Sequence, residues 1–329
     1  MDKNITVLVT AIGSVAGEHV IESLKHAGYR IIGCDIYDKR WLAYADLPHV
    51  FYRVPLAVNE KEYLEETQRI CISEKVNYIF PLTDVEVDLY DRNREWFDNN
   101  SIKICISPKE AIYVLRNKFR LAQEVSEKCK MVRTIPTMYM KDYLNDPQKW
   151  NGDIIIGKPV NGRSSQGLER FNSREEIVFF ANNNNIDNYI VQPFIPGDRI
   201  VVDVVRQSDE KTIVSVSRRE IIYTTNGCGI SVYVFYDPDL ESICNELAET
   251  LGIVGCVNFE FLKKEDGDYY LLECNPRFSA GVEFSALVGC NFVERHINCF
   301  MGLPISAFKL EHNTYIARKW TEVVTFVEK

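Results

Sequence analysis

Residues Cys256 to Arg277 read CVNFEFLKKEDGDYYLLECNPR, and this stretch decides the fold. Asp266-Gly267 stands between apolar, aromatic and β-branched runs, the strongest short-range sign of a β-hairpin, because a type I′ turn needs positive φ at both central residues. With those two residues as the loop, Glu260 falls opposite Glu273 and Asn258 opposite Asn275, and Leu262 and Leu271 share their face. Like charges directly opposed on paired strands are destabilising. A hard divalent cation would neutralise them. Two carboxylates (Glu260, Glu273) and the amide oxygen of Asn275, with Arg277 one step beyond, suit Mg²⁺ carrying phosphate oxygens, with Mn²⁺ able to replace it. The bland alternative places the glutamates on the solvated face of an edge hairpin. It accounts poorly for Glu273, Asn275 and Arg277 alternating into Pro276, where a strand should stop.

The rest of the chain sets the limits. It has 329 residues, 46% of them hydrophobic, enough for two or three domains with real cores. A net charge of -9 argues against nucleic acid or an anionic membrane as partner, since both reward a basic face. Any bound anion must then meet a local basic site. The ten cysteines form no C-x-x-C pair and the five histidines show no ligand spacing, so reduced cytosolic thiols are expected. The N-terminus reaches a short apolar strand rather than a signal-peptide core, and no stretch approaches the ~18 apolar residues of a membrane span. A cytoplasmic protein is expected.

Ile5 to Val9, the Gly13–Gly17 turn, a helical pattern through Val20, Leu24 and Ala27, and the strand Ile31 to Cys34 make a βαβ unit. Tyr78 to Phe80 is a further strand that runs into a polar loop through Thr83, Asp84 and Glu86, where open parallel sheets bind ligands. Ser107-Pro-Lys-Glu110 reads as a capping box that opens a helix and a new domain. Beyond it the pattern changes from α/β to α+β. Strands are predicted over Ile154–Ile156, Tyr189–Gln192, Ile200–Val205 and Ile213–Ile222, with helices from Ser173 and from Asp237-Pro238 to Gly252.

Two further segments carry chemistry. In Ile156-Gly-Lys158-Pro-Val-Asn-Gly162-Arg-Ser164-Ser165-Gln-Gly167, a strand lysine precedes a loop of small residues, which supplies one point charge and many backbone N–H donors to a phosphate chain. Val191-Gln192-Pro-Phe194-Ile-Pro-Gly197 is a strand that breaks into a proline-fixed hinge, able to offer backbone groups to an adenine edge while Phe194 or Ile195 packs on the ring.

Taken in order, these pieces resemble the ATP-grasp superfamily over nearly the whole chain. The signature is a helix lysine (Lys118), a strand lysine with a glycine-serine loop (Lys158, Gly162 to Gly167), a hinge (Gln192 to Gly197), and two acidic positions, Glu260 and the highly specific Glu273-Cys-Asn275-Pro-Arg277. Phe259-Glu-Phe-Leu262 looks like the matching strand of biotin carboxylase. The resemblance implies a Rossmann-like α/β domain with a parallel sheet over residues 1–110, as in carbamoyl-phosphate synthase large subunits. An α+β ATP-grasp fold of two subdomains, 111–190 and 191–329, would follow.

It also implies an ATP- and Mg²⁺-dependent carboxylate–amine or carboxylate–thiol ligase acting through an acyl phosphate, with small molecules as partners and a homodimer admissible. Lys118 and Lys158 would contact ATP phosphates, helped by Ser164, Ser165 and Gly167; Gln192 and Phe194 would hold the base. Glu260, Glu273 and Asn275 would hold Mg²⁺, and Arg277 would face the transferred phosphoryl or the substrate. Glu86, Arg219, Ser279 and Gly281 are the candidate substrate contacts, with Thr83, Asp84 and Glu283 near them.

Two positions depart from the family. Gln192 stands where Glu is common, and Arg199 where an acidic ribose contact is common; arginine cannot accept hydrogen bonds from hydroxyls, so either Asp198 takes that role or the ribose is held otherwise. Two rival classes are a nucleotide-binding regulator without turnover, suggested by those two positions, and an NAD-dependent epimerase or reductase, suggested by Gly13 and Asp35. The second lacks the full G-x-G-x-x-G and has its only Y-x-x-x-K at Tyr315–Lys319.

Overall fold

The computed structural model describes residues 5–146, 154–163, 166–208 and 212–328. Strands β1 (Thr6–Val9), β2 (Arg30–Asp35), β3 (Val50–Arg53), β4 (Tyr78–Phe80) and β5 (Lys103–Ile104) form a parallel sheet in the order β3-β2-β1-β4-β5. Val7, Leu8 and Val9 are all fully buried, as a strand covered on both faces requires. The strand order reverses at β1 and β4, which opens a crevice beyond their carboxyl ends. The segment after β4, expected to be a polar loop, is instead the start of the helix Asp84–Arg92. Thr83 Oγ1 accepts from the Glu86 N–H (3.4 Å) and Glu86 accepts from the Thr83 N–H (3.1 Å), so the capping box lies here. At the other proposed box, Ser107 does not cap the helix Lys109–Leu115; its hydroxyl bridges the backbone of Val254, donating to the carbonyl (2.9 Å) and accepting from the N–H (3.2 Å).

After β6 (Arg133–Thr134), strands β7 (Met138–Tyr139), β8 (Ile155–Pro159), β9 (Glu169–Phe171) and β10 (Tyr189–Pro193) form a four-stranded sheet in the order β7-β10-β8-β9. Strands β11 (Asp198–Arg206), β12 (Ile213–Tyr223), β13 (Gly229–Phe235), β14 (Gly255–Lys263), β15 (Tyr269–Asn275) and β16 (Thr314–Ala317), with β6, form a seven-stranded sheet in the order β16-β13-β12-β11-β14-β15-β6. The helices Lys109–Leu115 and Lys118–Lys128 bury Ala111, Leu115, Leu121 and Val125 against Val202 and Phe259 of the large sheet. The expected division at 111–190 therefore does not follow the cores. The small core, with Met140, Ile155, Phe171 and Val191, belongs to the four-stranded sheet alone. We therefore draw the small unit from β7 to β10.

A third core joins the first sheet to the large one through Val9, Phe80, Val205, Cys256 and Ile297. Within it His296 accepts from the Cys256 N–H (2.7 Å) and meets the Cys105 carbonyl (3.1 Å). Burial pulls its pKa down to about 3, so it stays neutral and structural. All ten cysteines are free thiols, and among the described residues no helix is long and apolar enough to cross a membrane.

The β14–β15 hairpin reaches the predicted pairing by another route. Its loop has three residues, not two: the Lys264 N–H donates to the Asp268 carbonyl and the Gly267 N–H to the Lys264 carbonyl (both 3.0 Å), with Gly267 at φ +93°. Pairs near the tip are thus one residue out of the expected register, Leu262 with Tyr270 and Phe261 with Leu271. Leu272 is then an extra residue, a β-bulge, after which Glu260 faces Glu273 and Asn258 faces Asn275. Leu271 goes to the core beside Phe261 rather than joining Leu262, and Leu272 takes its place on the cleft side.

Candidate active site

A cleft of about 450 Å³ separates the four-stranded sheet from the β14–β15 hairpin. Ile135, Ile156, Leu262, Leu272, Phe194 and Ile195 give it apolar walls, and Lys118, Lys158, Arg199, Glu260 and Glu273 give it charge. Lys118 opens its helix, so that its N–H donates to the Val160 carbonyl (3.0 Å) while its ammonium donates to the Gly162 carbonyl (2.7 Å) and pairs with Glu273 Oε2 (3.1 Å). It ties the segment after β8 to the hairpin. Lys158 lies on β8, is 6% exposed, and has its pKa lowered to about 8 by burial, partly offset by Glu273.

The opposed glutamates are not left uncompensated. Arg199 donates to Glu260 Oε2 through Nη2 (2.6 Å) and Nε (3.1 Å), and Lys118 holds Glu273. Burial raises the pKa of Glu260, and the neighbouring Glu273 raises it further against Arg199. For Glu273 burial also acts upward, but Lys118 and then Lys158 outweigh it and hold the carboxyl below its usual range. Asn275 donates to Asn258 Oδ1 (3.4 Å) and Glu260 Oε1 (3.2 Å), which turns its own amide oxygen away from both. Glu273, with that oxygen and with Glu260 beside them, supplies the hard oxygen donors that Mg²⁺ takes together with water and phosphate.

Gln192 lines the cleft and donates to Thr137 Oγ1 (2.8 Å). The Phe194 N–H is spent on the Ile154 carbonyl (3.0 Å), and the ring lies half-exposed beneath the Arg170 guanidinium. Gly167, at φ +68°, packs against Pro159 and Tyr189. Ser164 and Ser165 lie outside the described residues.

A family model described as "ATP-grasp in the biosynthetic pathway with Ter operon" matches residues 185–323. The biotin carboxylase domain of Hydrogenobacter thermophilus 2-oxoglutarate carboxylase, in complex with MgADP, ADP and bicarbonate, superposes with a TM-score of 0.77 at 15% identity, over 91% of this chain and 70% of that one. The Staphylococcus aureus N5-carboxyaminoimidazole synthetase with ADP gives 0.75 at 13% identity, over 94% and 81%. The Bacillus licheniformis L-amino acid ligase gives 0.69 at 14%, over 89% and 73%. This chain has the ATP-grasp fold.

The small and large sheets are thus the two jaws of the ATP-grasp, and the parallel sheet is the domain that precedes them. A second cavity of about 460 Å³ opens at the crevice of that domain, lined by Ser14, Asp35, Tyr63, Thr83, Asp84 and Glu86, and by Arg163, Arg277 and Phe278. Arg163 lines both cavities, a residue the sequence reading passed over. Arg277 donates to Asp84 Oδ2 (2.8 Å) and to the Phe278 carbonyl (3.0 Å), and Arg116 flanks the same Asp84 at 3.4 Å. Glu86 is committed to its surroundings: Tyr63 OH (2.7 Å) and Thr83 Oγ1 (2.8 Å) both donate to it, and burial raises its pKa.

Two expected contacts point elsewhere. Arg219 is half-buried on the outer face of β12 and pairs with exposed Asp198 (3.1 Å), and neither lines either of these two cavities. Strand alternation sends the neighbouring Arg218 inward instead. Arg218 is 2% exposed and donates to Asp203 Oδ2 (2.7 Å), Glu220 Oε1 (3.1 Å) and Ser279 Oγ (3.0 Å). Gly281 lies against it, where an added Cβ would come within 2.8 Å of the guanidinium. Ser279 and Gly281 therefore seat Arg218.

The lowered Lys158 pKa gives a pH dependence with a definite sign. Below about 8 the ammonium is charged and would meet a bound phosphate at full strength. As pH rises through that value, binding must first protonate the lysine. Affinity for an ATP analogue should hold steady up to that point and then weaken, approaching tenfold per pH unit. Calorimetry at pH 8.5 in buffers of different ionisation enthalpy should reveal proton uptake on binding. Equal heats in all buffers would assign the charge to another group.

Proposed function

We propose that this protein is an ATP- and Mg²⁺-dependent ligase that joins a small carboxylate, such as an amino acid, to an amine or a thiol through an acyl phosphate, and that it works in the cytoplasm. One observation carries the reading: Lys118, Lys158, Glu260 and Glu273 line one cleft with Asn275 bonded to Glu260 beside it, and Arg163 lines both that cleft and the cavity of the N-terminal domain, where Arg277 stands. The neighbours with bound ADP or MgADP support the nucleotide, and those named as carboxylase, synthetase and amino acid ligase support the reaction class.

The roles follow from charge. Lys118 and Lys158 neutralise the phosphate chain, and the apolar walls of Ile135, Ile156, Leu262 and Leu272 take the base. Glu273 and Asn275, beside Glu260, would hold Mg²⁺, which when bound supplies charge neutralisation at the phosphates. The carboxylate sits at the crevice cavity, and Arg277 holds its forked donors toward the oxygens on which charge gathers. Positioning and neutralisation suffice for this chemistry, so no cysteine needs a catalytic part.

Hydroxylamine traps an acyl phosphate as a hydroxamate. With ATP, Mg²⁺ and a panel of amino acids and other small carboxylates, at least one acid should yield a hydroxamate together with ADP. Tight nucleotide binding with no acid-dependent ADP release across the panel would favour a regulator without turnover.

A further inference from the structure

Glu260 and Glu273 face each other, yet their environments differ. Both Glu260 oxygens are occupied: Oε2 by the Arg199 fork at 2.6 and 3.1 Å, and Oε1 by the Asn275 amide at 3.2 Å. Glu273 spends Oε2 on Lys118, while among the described residues Oε1 makes no hydrogen bond or ion pair. Arg199 is also seated from behind. The turn after β12 passes so close that a Cβ on Gly227, itself at φ +84°, would come within 2.6 Å of Nη1, and the Tyr223 ring centroid lies 5.7 Å from the guanidinium carbon. A guanidinium held by two hydrogen bonds to a buried carboxylate and backed by a glycine turn is a fixed part of the site.

Three cations, Lys118, Lys158 and Arg199, therefore surround two carboxylates before any ligand arrives. Opposed carboxylates with a polyphosphate can hold a pair of divalent ions. Here the second positive position is already filled. Among the described residues no cluster of three or more His, Cys, Asp or Glu could hold a metal ion, which limits the site to the amide-assisted set.

We propose that Arg199 is a built-in cation of this site: it retains Glu260 and leaves Glu273 Oε1 and the Asn275 amide oxygen to hold a single divalent ion, so that nucleotide binds with one metal ion per chain. The inference rests on the ATP-site reading above and adds to it a stoichiometry and a role for Arg199. A charge change of two units, arginine to glutamate, equals one divalent ion, so Arg199→Glu should open the second position.

The test is Mn²⁺ titration followed by electron paramagnetic resonance, with the non-hydrolysable analogue adenylyl imidodiphosphate at saturation. The parent protein should bind about one Mn²⁺ per chain and Arg199→Glu about two, with the metal dependence of analogue binding changing from first to second order. Should Arg199→Glu fail to fold, the neutral Arg199→Gln should still admit a second, weaker ion. Two ions in the parent would overturn the proposal, as would one ion in a folded variant. Failure of the metal–analogue complex to bind at all, seen by calorimetry as no heat on titration into the parent protein, would instead overturn the ATP-site reading and this inference with it.

Discussion

Arg277→Lys should lower hydroxamate formation by on the order of 10²-fold or more while leaving affinity for an ATP analogue within a few-fold, the scale of removing one preorganised transition-state donor. The guanidinium is fixed at two points, Nη2 on Asp84 and Nη1 on the Phe278 carbonyl, and Asp84 is itself buried and shared with Arg116. A lysine could replace one of those contacts but cannot present a planar fork from a fixed base. Single-turnover trapping with saturating ATP and acid isolates the step. A rate equal to that of the parent would move the phosphoryl contact to Arg163, the arginine that lines both cavities.

Lys158→Met should make the nucleotide-free protein more stable at neutral pH while weakening analogue binding by on the order of 10²-fold, as loss of a charge-assisted phosphate contact implies. Burial holds the folded pKa near 8, below the 10.5 of a free lysine, so the folded state binds this proton less tightly than the unfolded state does. The resulting cost is present in full below about 8 and disappears as pH climbs toward the unfolded value. Removing the ammonium should therefore stabilise by up to a few kcal/mol at pH 7, and by progressively less at higher pH. Glu273 keeps Lys118, the larger of its two lysine influences. Thermal melts from pH 7 to 10 beside calorimetric titrations would check both halves. A variant less stable at pH 7 would show that the Lys158–Glu273 attraction exceeds the cost of burying the lysine.

Much of the site was legible because its residue types are costly to place together by accident. Opposed glutamates flanked by asparagines on one strand face point to compensation by cations, and the ordered lysines, loop and hinge line one cleft together with both glutamates. What compensates the glutamates was not legible. Arg199 and Glu260 are on different strands, and only the sheet register places the guanidinium on that carboxylate. The hairpin shows why pairing and turn type are separate questions. A third loop residue and the extra Leu272 offset each other, so the glutamates meet as expected while Leu271 does not go where the simpler turn would send it.

Arg218 left a signal that could have been followed. Asp203 interrupts the apolar run Ile200–Val205, and a buried acid there requires a partner from the adjacent strand. Of the adjacent Arg218 and Arg219, alternation admits only one to the inner face. The helix Asp84–Arg92 was missed for a local reason: Thr83-Asp-Val-Glu86 follows a strand at the place where loops bind ligands, and its polar character hid a cap.

The grip of Asp84 on Arg277 spans 193 positions of sequence and crosses from the first sheet's domain to the hairpin of the large one. Recombination between relatives would cut that connection wherever a crossover falls between the two residues. A chimera with a foreign N-terminal domain would inherit its nucleotide cleft intact, yet the orientation of its arginine would depend on whether the donor happens to carry an acid at the same helix start. Exchange of substrate range by domain swapping is thus constrained to donors that match at one carboxylate. A truncated grasp lacking the first hundred residues would lose both the carboxylate that holds Arg277 and the first sheet's half of the core it shares with the large one.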